Sequence, residues 1–133
     1  MPAIQPEETV KSEIVFPGRM ITVRRDTVRL PNGKTTQREI VEHARTIAVV
    51  PVLDDGRIVM IRQYRKSIER VLLELPAGGI DGNESPENAA HREMAEETGY
   101  SVGHLELLTE FFTSPGFTNE YMYLYRATQL QGG

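Results

Sequence analysis

The sequence predicts an α+β fold: a mixed central sheet carrying one helix, preceded by a small antiparallel sheet. Three observations predict it. Branched and aromatic residues gather in short runs rather than at helical spacing, so most of the chain reads as strand. One stretch alone, residues 86 to 98, has both a start and a stop signal for a helix. The first 45 residues alternate on either side of a turn motif, as hairpins do.

The 133 residues, 39% of them hydrophobic, have room for one domain of ordinary size with a genuine core. The Pro and Glu of the first eight residues are expected to form a mobile tail. "SEIVF" at 12–16 then reads as a strand, and "MITVRRDTVRL" and "TTQREIVEHAR" flank "PNGK", where Pro31, Asn32 and Gly33 supply turn chemistry. This N-terminal sheet has too little apolar surface to stand alone. From Thr46, "TIAVVPVL" is nearly continuous in apolar residues, so its strand is expected to be buried on both faces. The turn "DDG" leads to "RIVMIRQY", and "VLLEL" at 71–75, "LELLTEFFTS" at 105–114 and "YMYLYRAT" at 121–128 complete a strand-heavy core.

The helix is bounded by chemistry. Ser85 is a good N-cap, Pro86 suits the first helical position, Glu87 complements the dipole, and Gly99 before Tyr100 reads as a glycine C-cap. One helix of about three turns covers one face of a sheet that needs cover on both. The sequence is therefore expected to be truncated, or to close its second face with another subunit.

Composition excludes several classes. Without cysteine there is neither a disulfide framework nor a thiolate metal site, which suits the reducing cytoplasm, and His43, His91 and His104 form no ligand spacing. A net charge of −4 argues against binding along nucleic acid. No segment reads as a signal peptide or a membrane span, so the protein reads as soluble, with no membrane partner.

"REMAEETGY", 92 to 100, crowds Glu93, Glu96 and Glu97 on one helical face. Each like-charge pair at such spacing costs about 0.2–0.5 kcal/mol. Two readings offset that cost. One is a solvated acidic face with Arg92 relieving Glu96 four residues on. The other is a hard-cation site, since carboxylate oxygens suit Mg²⁺ or Mn²⁺ and those ions suit phosphate. Just ahead lies "ELPAGGIDGNE", whose Gly78, Gly79 and Gly82 allow close backbone approach.

Taken together, residues 78 to 100 resemble the Nudix box: Gly78, Glu84, Arg92, Glu93, Met94, Glu96, Glu97, Gly99 and Tyr100 stand at its spacings, with an aromatic at the last, apolar position. At average residue frequencies the fixed residues would align by chance in fewer than about one chain in a million. The resemblance displaces the solvated-face reading. It implies an α/β/α sandwich of the Nudix type and metal-dependent hydrolysis of a nucleoside diphosphate derivative. Glu93 and Glu97 would be metal ligands, Glu96 a further ligand or an outer carboxylate, and the Ala77 carbonyl another ligand. Glu84 and Arg92 would pair to brace loop against helix, which puts Arg92 with Glu93, Glu96 and Glu97 among the catalytic residues.

"RQYR" at 62–65, "LELPAGGID" at 73–81 and "TSPGFTNE" at 113–120, with Pro115 sixteen residues beyond Gly99, resemble the ADP-ribose pyrophosphatase branch. That resemblance assigns Arg65, Glu74, Pro115 and Phe117 to substrate binding; for Arg65 and Glu74 a surface salt bridge is the competing reading, and for Pro115 a plain turn. It implies an N-terminal strand region, 1–45, that forms a homodimer, and a hydrolase domain, 46–133, lacking a C-terminal helix and the loop that bears the general base. Glu120 is the in-chain substitute. The expected reaction is ADP-ribose to AMP and ribose 5-phosphate with Mg²⁺ or Mn²⁺. The alternatives are a nucleotide-sugar pyrophosphatase, acting on a substrate such as GDP-mannose, and a non-catalytic nucleotide-binding fragment.

Overall fold

A computed structural model describes residues 3–133. Its contacts divide the chain into two units: residues up to Ala44 together with Phe112–Glu120, and Arg45–Phe111 together with Tyr121–Gly133.

The first unit contains an antiparallel sheet of three strands in the order β1 (Glu8–Pro17), β2 (Ile21–Arg29), β3 (Thr35–His43). The predicted turn closes β2 on β3: the Asn32 side chain accepts from the Lys34 N–H at 2.9 Å, and Gly33 takes a φ of +86°, which a side chain would oppose. The register then runs unbroken from Ile21 opposite His43 to Arg29 opposite Thr35. β1 starts earlier than the "SEIVF" run, and Glu7 ahead of it is held by Arg38 through two hydrogen bonds of 3.0 and 2.6 Å. This corrects the expected tail at Glu7 and Glu8, because cross-strand charge fixes what composition alone reads as loose; Met1 and Pro2 lie outside the described residues. Burial is sparse here. Val28 and Asp26 are buried, and the strands are joined by Arg25–Glu13, Arg29–Glu8 and the chain Asp26–Arg24–Glu42.

The second unit contains β4 (Thr46–Pro51), β5 (Ile61–Arg65), β6 (Arg70–Glu74), β7 (Ala77–Gly79), α1 (Pro86–Thr98), β9 (Tyr121–Gly132) and all of β8 (Tyr100–Phe112) but its last residue. The central sheet has the order β7-β4-β9-β8 and is mixed, since β4 runs parallel to β9 and antiparallel to β7. β4 is buried along nearly its whole length, as its apolar run requires. Ile47 and Val49 meet Tyr125 and Ala127 on one face, and Ala89, Ala90 and Met94 of α1 close over them with Ile80. The two alanines let the helix approach closely. On the opposite face of β9, Met122 and Leu124 are only half-buried, and α1 is the one helix among the described residues.

Two apolar runs depart from the expected core. Of "RIVMIRQY" only the last four residues lie in a named strand, β5, which ends one residue further at Arg65, and β5 and β6 pair in a separate two-stranded ribbon instead of joining the central sheet. Val71 and Leu73 consequently stand 60% and 58% exposed. β8 begins directly after Gly99, well before the predicted Leu105, and its Leu107, Leu108, Phe111 and Phe112 are exposed along the edge of the sheet.

Candidate functional site

The predicted helix bounds hold, and their caps fix which face α1 turns to the sheet. The Ser85 hydroxyl accepts from the Asn88 N–H at 3.1 Å, Pro86 opens the helix, and Gly99, at a φ of +78°, donates its N–H to the Ala95 carbonyl at 3.0 Å. With Ala89, Ala90 and Met94 facing the core, Glu93 and Glu97, one turn apart, come together at the margin of the buried face.

Glu93 is well covered for a carboxylate, its side chain only 13% exposed. It lies directly over Gly78, where a Cβ would fall on the Glu93 carboxylate; this glycine is a vacancy shaped for that group. The neighbouring Glu97 accepts from the Ala77 N–H at 3.3 Å through Oε1, while its Oε2 is buried with no hydrogen-bond partner. Burial, then the Glu93 carboxylate beside it, pushes the Glu97 carboxyl up to about 7, against the pull of the Ala77 N–H and the Arg65 charge. Ala77 thus meets the pair through its N–H.

Arg92 organises the loop around this pair. Its guanidinium donates to Glu84 through Nε at 2.9 Å and Nη2 at 3.0 Å, to the Gly79 carbonyl at 3.0 Å, to Glu93 at 2.9 Å and to Glu96 at 3.3 Å. The Glu84 bonds contribute most to holding the Arg92 proton above its ordinary range, and the Glu84 carboxyl is lowered in turn, chiefly by Arg92 and then by the Asp81 N–H. The brace between loop and helix is therefore present. Glu96, 59% exposed, turns to Arg92 instead of the other two carboxylates. Among the described residues no three His, Asp or Glu side chains form a ready metal cluster.

Arg65 of β5 and Glu74 of β6 stand at opposite ends of the ribbon in register, and their long side chains meet in a bidentate pair of 2.8 and 2.6 Å. The pair raises the Arg65 pKa and lowers that of Glu74. Pro115 and Phe117 belong to the first unit, on a turn in which the Ser114 carbonyl accepts from the N–H of Phe117 at 3.2 Å and of Thr118 at 3.1 Å. Both side chains are exposed, and with Arg24, Arg38 and Ile40 they line a depression of about 720 Å³. Glu120, also in the first unit, accepts from the Thr113 hydroxyl at 2.8 Å and lies 3.7 Å from His43.

The donor set fits a hard divalent cation. Two carboxylates already lie side by side, one oxygen among them is buried without a partner, and burial, then the neighbouring Glu93 carboxylate, raises the Glu97 carboxyl to about 7. The clearance over Gly78 escaped sequence reasoning, although the paired glycines signalled close approach. The bonds from Arg92 to the Gly79 carbonyl and to Glu93 had no signal at all.

Residues 42–133 match the family model of the NUDIX domain, and residues 7–41 that of the nucleoside diphosphate sugar hydrolase N-terminal domain. An ADP-ribose pyrophosphatase of Bacillus subtilis (strain 168) is 44% identical over 124 residues, covering 93% of this chain and 67% of that protein. A methanol dehydrogenase activator of Bacillus methanolicus is 45% identical, with 93% of this chain and 67% of the relative covered. The crystal structure of an ADP compounds hydrolase matches with a TM-score of 0.90 and 27% identity, over 99% of this chain and 72% of that one.

Proposed function

Because the chain belongs to the Nudix hydrolase family, we propose that it hydrolyses the diphosphate of ADP-ribose, giving AMP and ribose 5-phosphate, with Mg²⁺ or Mn²⁺ held at Glu93 and Glu97. The observation that carries this reading is the meeting of those two carboxylates over Gly78 with an unpartnered buried oxygen. When bound, such an ion supplies neutralisation of the diphosphate charge and acidifies a water beside it. Arg92 orients the Glu93 carboxylate, and through Glu84 and the Gly79 carbonyl it keeps the loop from moving away. Glu96 is the outer carboxylate, balancing Arg92. The Ala77 carbonyl completes the ligand set, and Arg65 turns from Glu74 toward substrate when the diphosphate arrives. Pro115 and Phe117 contact the nucleotide side.

The test is AMP release from ADP-ribose with Mg²⁺. Replacing both Glu93 and Glu97 with Gln is expected to lower the rate by at least about a hundredfold, the scale of a lost metal-assisted step, with the melting temperature unchanged or raised because the helix loses repulsion. An unchanged rate would refute the ligand assignment. A nucleotide sugar is the second substrate class, favoured by the family match over residues 7–41; comparing turnover of GDP-mannose and ADP-ribose separates the two.

The same reading makes the N-terminal sheet a homodimer contact, supported by exposed Val10, Ile14 and Phe16 on the edge strand β1. Sedimentation after removal of residues 1–45 should then show monomer or aggregate. The cytoplasm is the proposed compartment, supported by the absence of cysteine. No helix among the described residues is long and apolar enough to cross a membrane.

A further inference from the structure

β3 is the outer strand of the N-terminal sheet, so one of its edges presents backbone groups to no other strand of that sheet. The segment that follows β8 fills that edge. The Val41 N–H donates to the Phe117 carbonyl at 2.7 Å, and the Val41 carbonyl accepts from the Thr118 hydroxyl at 2.8 Å and the Asn119 N–H at 3.2 Å. Two residues on, where the backbone again points to the same edge, the His43 N–H donates to Asn119 Oδ1 at 2.9 Å. The neck of the segment is closed separately, by Thr113 donating from its N–H to the Glu120 carbonyl at 3.2 Å and from its hydroxyl to the Glu120 side chain at 2.8 Å.

This fastening is polar and buries little. Phe117 remains 56% exposed and Pro115 is exposed as well, so the bonds hold two apolar side chains in the open instead of packing them. Such an arrangement suits display to a ligand better than it suits a core. We propose that Thr118 and Asn119 are positioning residues: by tying the Pro115–Phe117 turn to Val41 and His43 they set the affinity for the nucleotide substrate. The proposal rests on the reading above that Pro115 and Phe117 touch substrate.

The test compares kcat and KM for ADP-ribose with Mg²⁺ in the full chain carrying Thr118→Val or Asn119→Ala. Each is expected to raise KM roughly three- to tenfold, the factor lost with one ordinary hydrogen bond, while kcat stays within about twofold. Thr118→Ser and Asn119→Asp keep the hydroxyl and the accepting oxygen, and should hold KM near the wild-type value. If the segment serves only to cap the edge of β3, the first two variants will aggregate or melt lower with KM unchanged, and the proposal is overturned. Wild-type chain that neither turns over nor binds ADP-ribose defeats the substrate reading and this inference with it. An active wild type whose KM is indifferent to both substitutions defeats the inference alone.

Discussion

In the N-terminal sheet β2 buries little beyond Asp26 and Val28, and it is tied to its neighbours by Arg25–Glu13, Arg29–Glu8 and Arg24–Glu42. In the central sheet β4 buries Ile47 and Val49 under α1, in a cluster that among the described residues contains no charged side chain. Exposed ion pairs contribute about 0–1 kcal/mol each, whereas burying one large apolar side chain contributes about 1.5–3 kcal/mol. The second unit therefore carries its own stability, while the first has mainly registry. Charges opposite one another specify which residues pair without holding the strands strongly.

The sharpest way to break this contrast is to remove Met94, which is fully buried in the core of the second unit. Met94→Ala should cost about 2–5 kcal/mol in denaturant unfolding; a cost below 1 would mean that the core is not where that unit is held. Next in size is Gly78→Ala. The added methyl meets the far end of a flexible Glu93 side chain, so the fold should survive with a nearly unchanged melting temperature, while metal-dependent turnover falls about tenfold or more as the carboxylate is displaced. Equal turnover would show that Glu93 works from another position.

A smaller effect should appear with pH. Glu97, raised to about 7, keeps a proton in the folded chain that the unfolded chain releases near 4.5. Its contribution to metal-free stability is therefore complete below about pH 4.5 and lost as pH rises through about 7. Melting with a chelator between about pH 5 and 8 should show this decline, Glu97→Gln should flatten it, and Mg²⁺ should offset it. The smallest expected change is Arg25→Ala in the N-terminal sheet, below about 1 kcal/mol and shrinking further in high salt. A loss of several kcal/mol would mean that its pair with Glu13 does more than set register.

Sequence reading succeeded where the determinants are local. Ser85, Pro86 and Gly99 bound α1 through neighbours within a turn, Asn32 and Gly33 close the hairpin from within it, and the box residues lie on one continuous segment. It failed where the partner is distant or the burial is collective. Val71 and Leu73 have the composition of core strands, yet ribbon pairing leaves them exposed. Thr118 bonds to Val41 across 77 positions, and nothing in the text of either segment announces the other. Arg65 and Glu74 were read separately, yet their side chains pair in two hydrogen bonds, although the register of β5 on β6 sets Arg65 opposite Arg70 and Glu74 opposite Ile61.

The Arg92 fork has a thermodynamic corollary. By gripping Glu84 and the Gly79 carbonyl at once, it closes the segment between Gly79 and the helix into a ring. The configurational entropy of that ring is surrendered when the chain folds, not when a ligand arrives. A cation held at Glu93 and Glu97, as proposed, would therefore meet groups already ordered, and most of its intrinsic attraction would remain available as affinity. Severing the fork would not remove a single ligand atom, but it would transfer the cost of ordering the loop to the binding step.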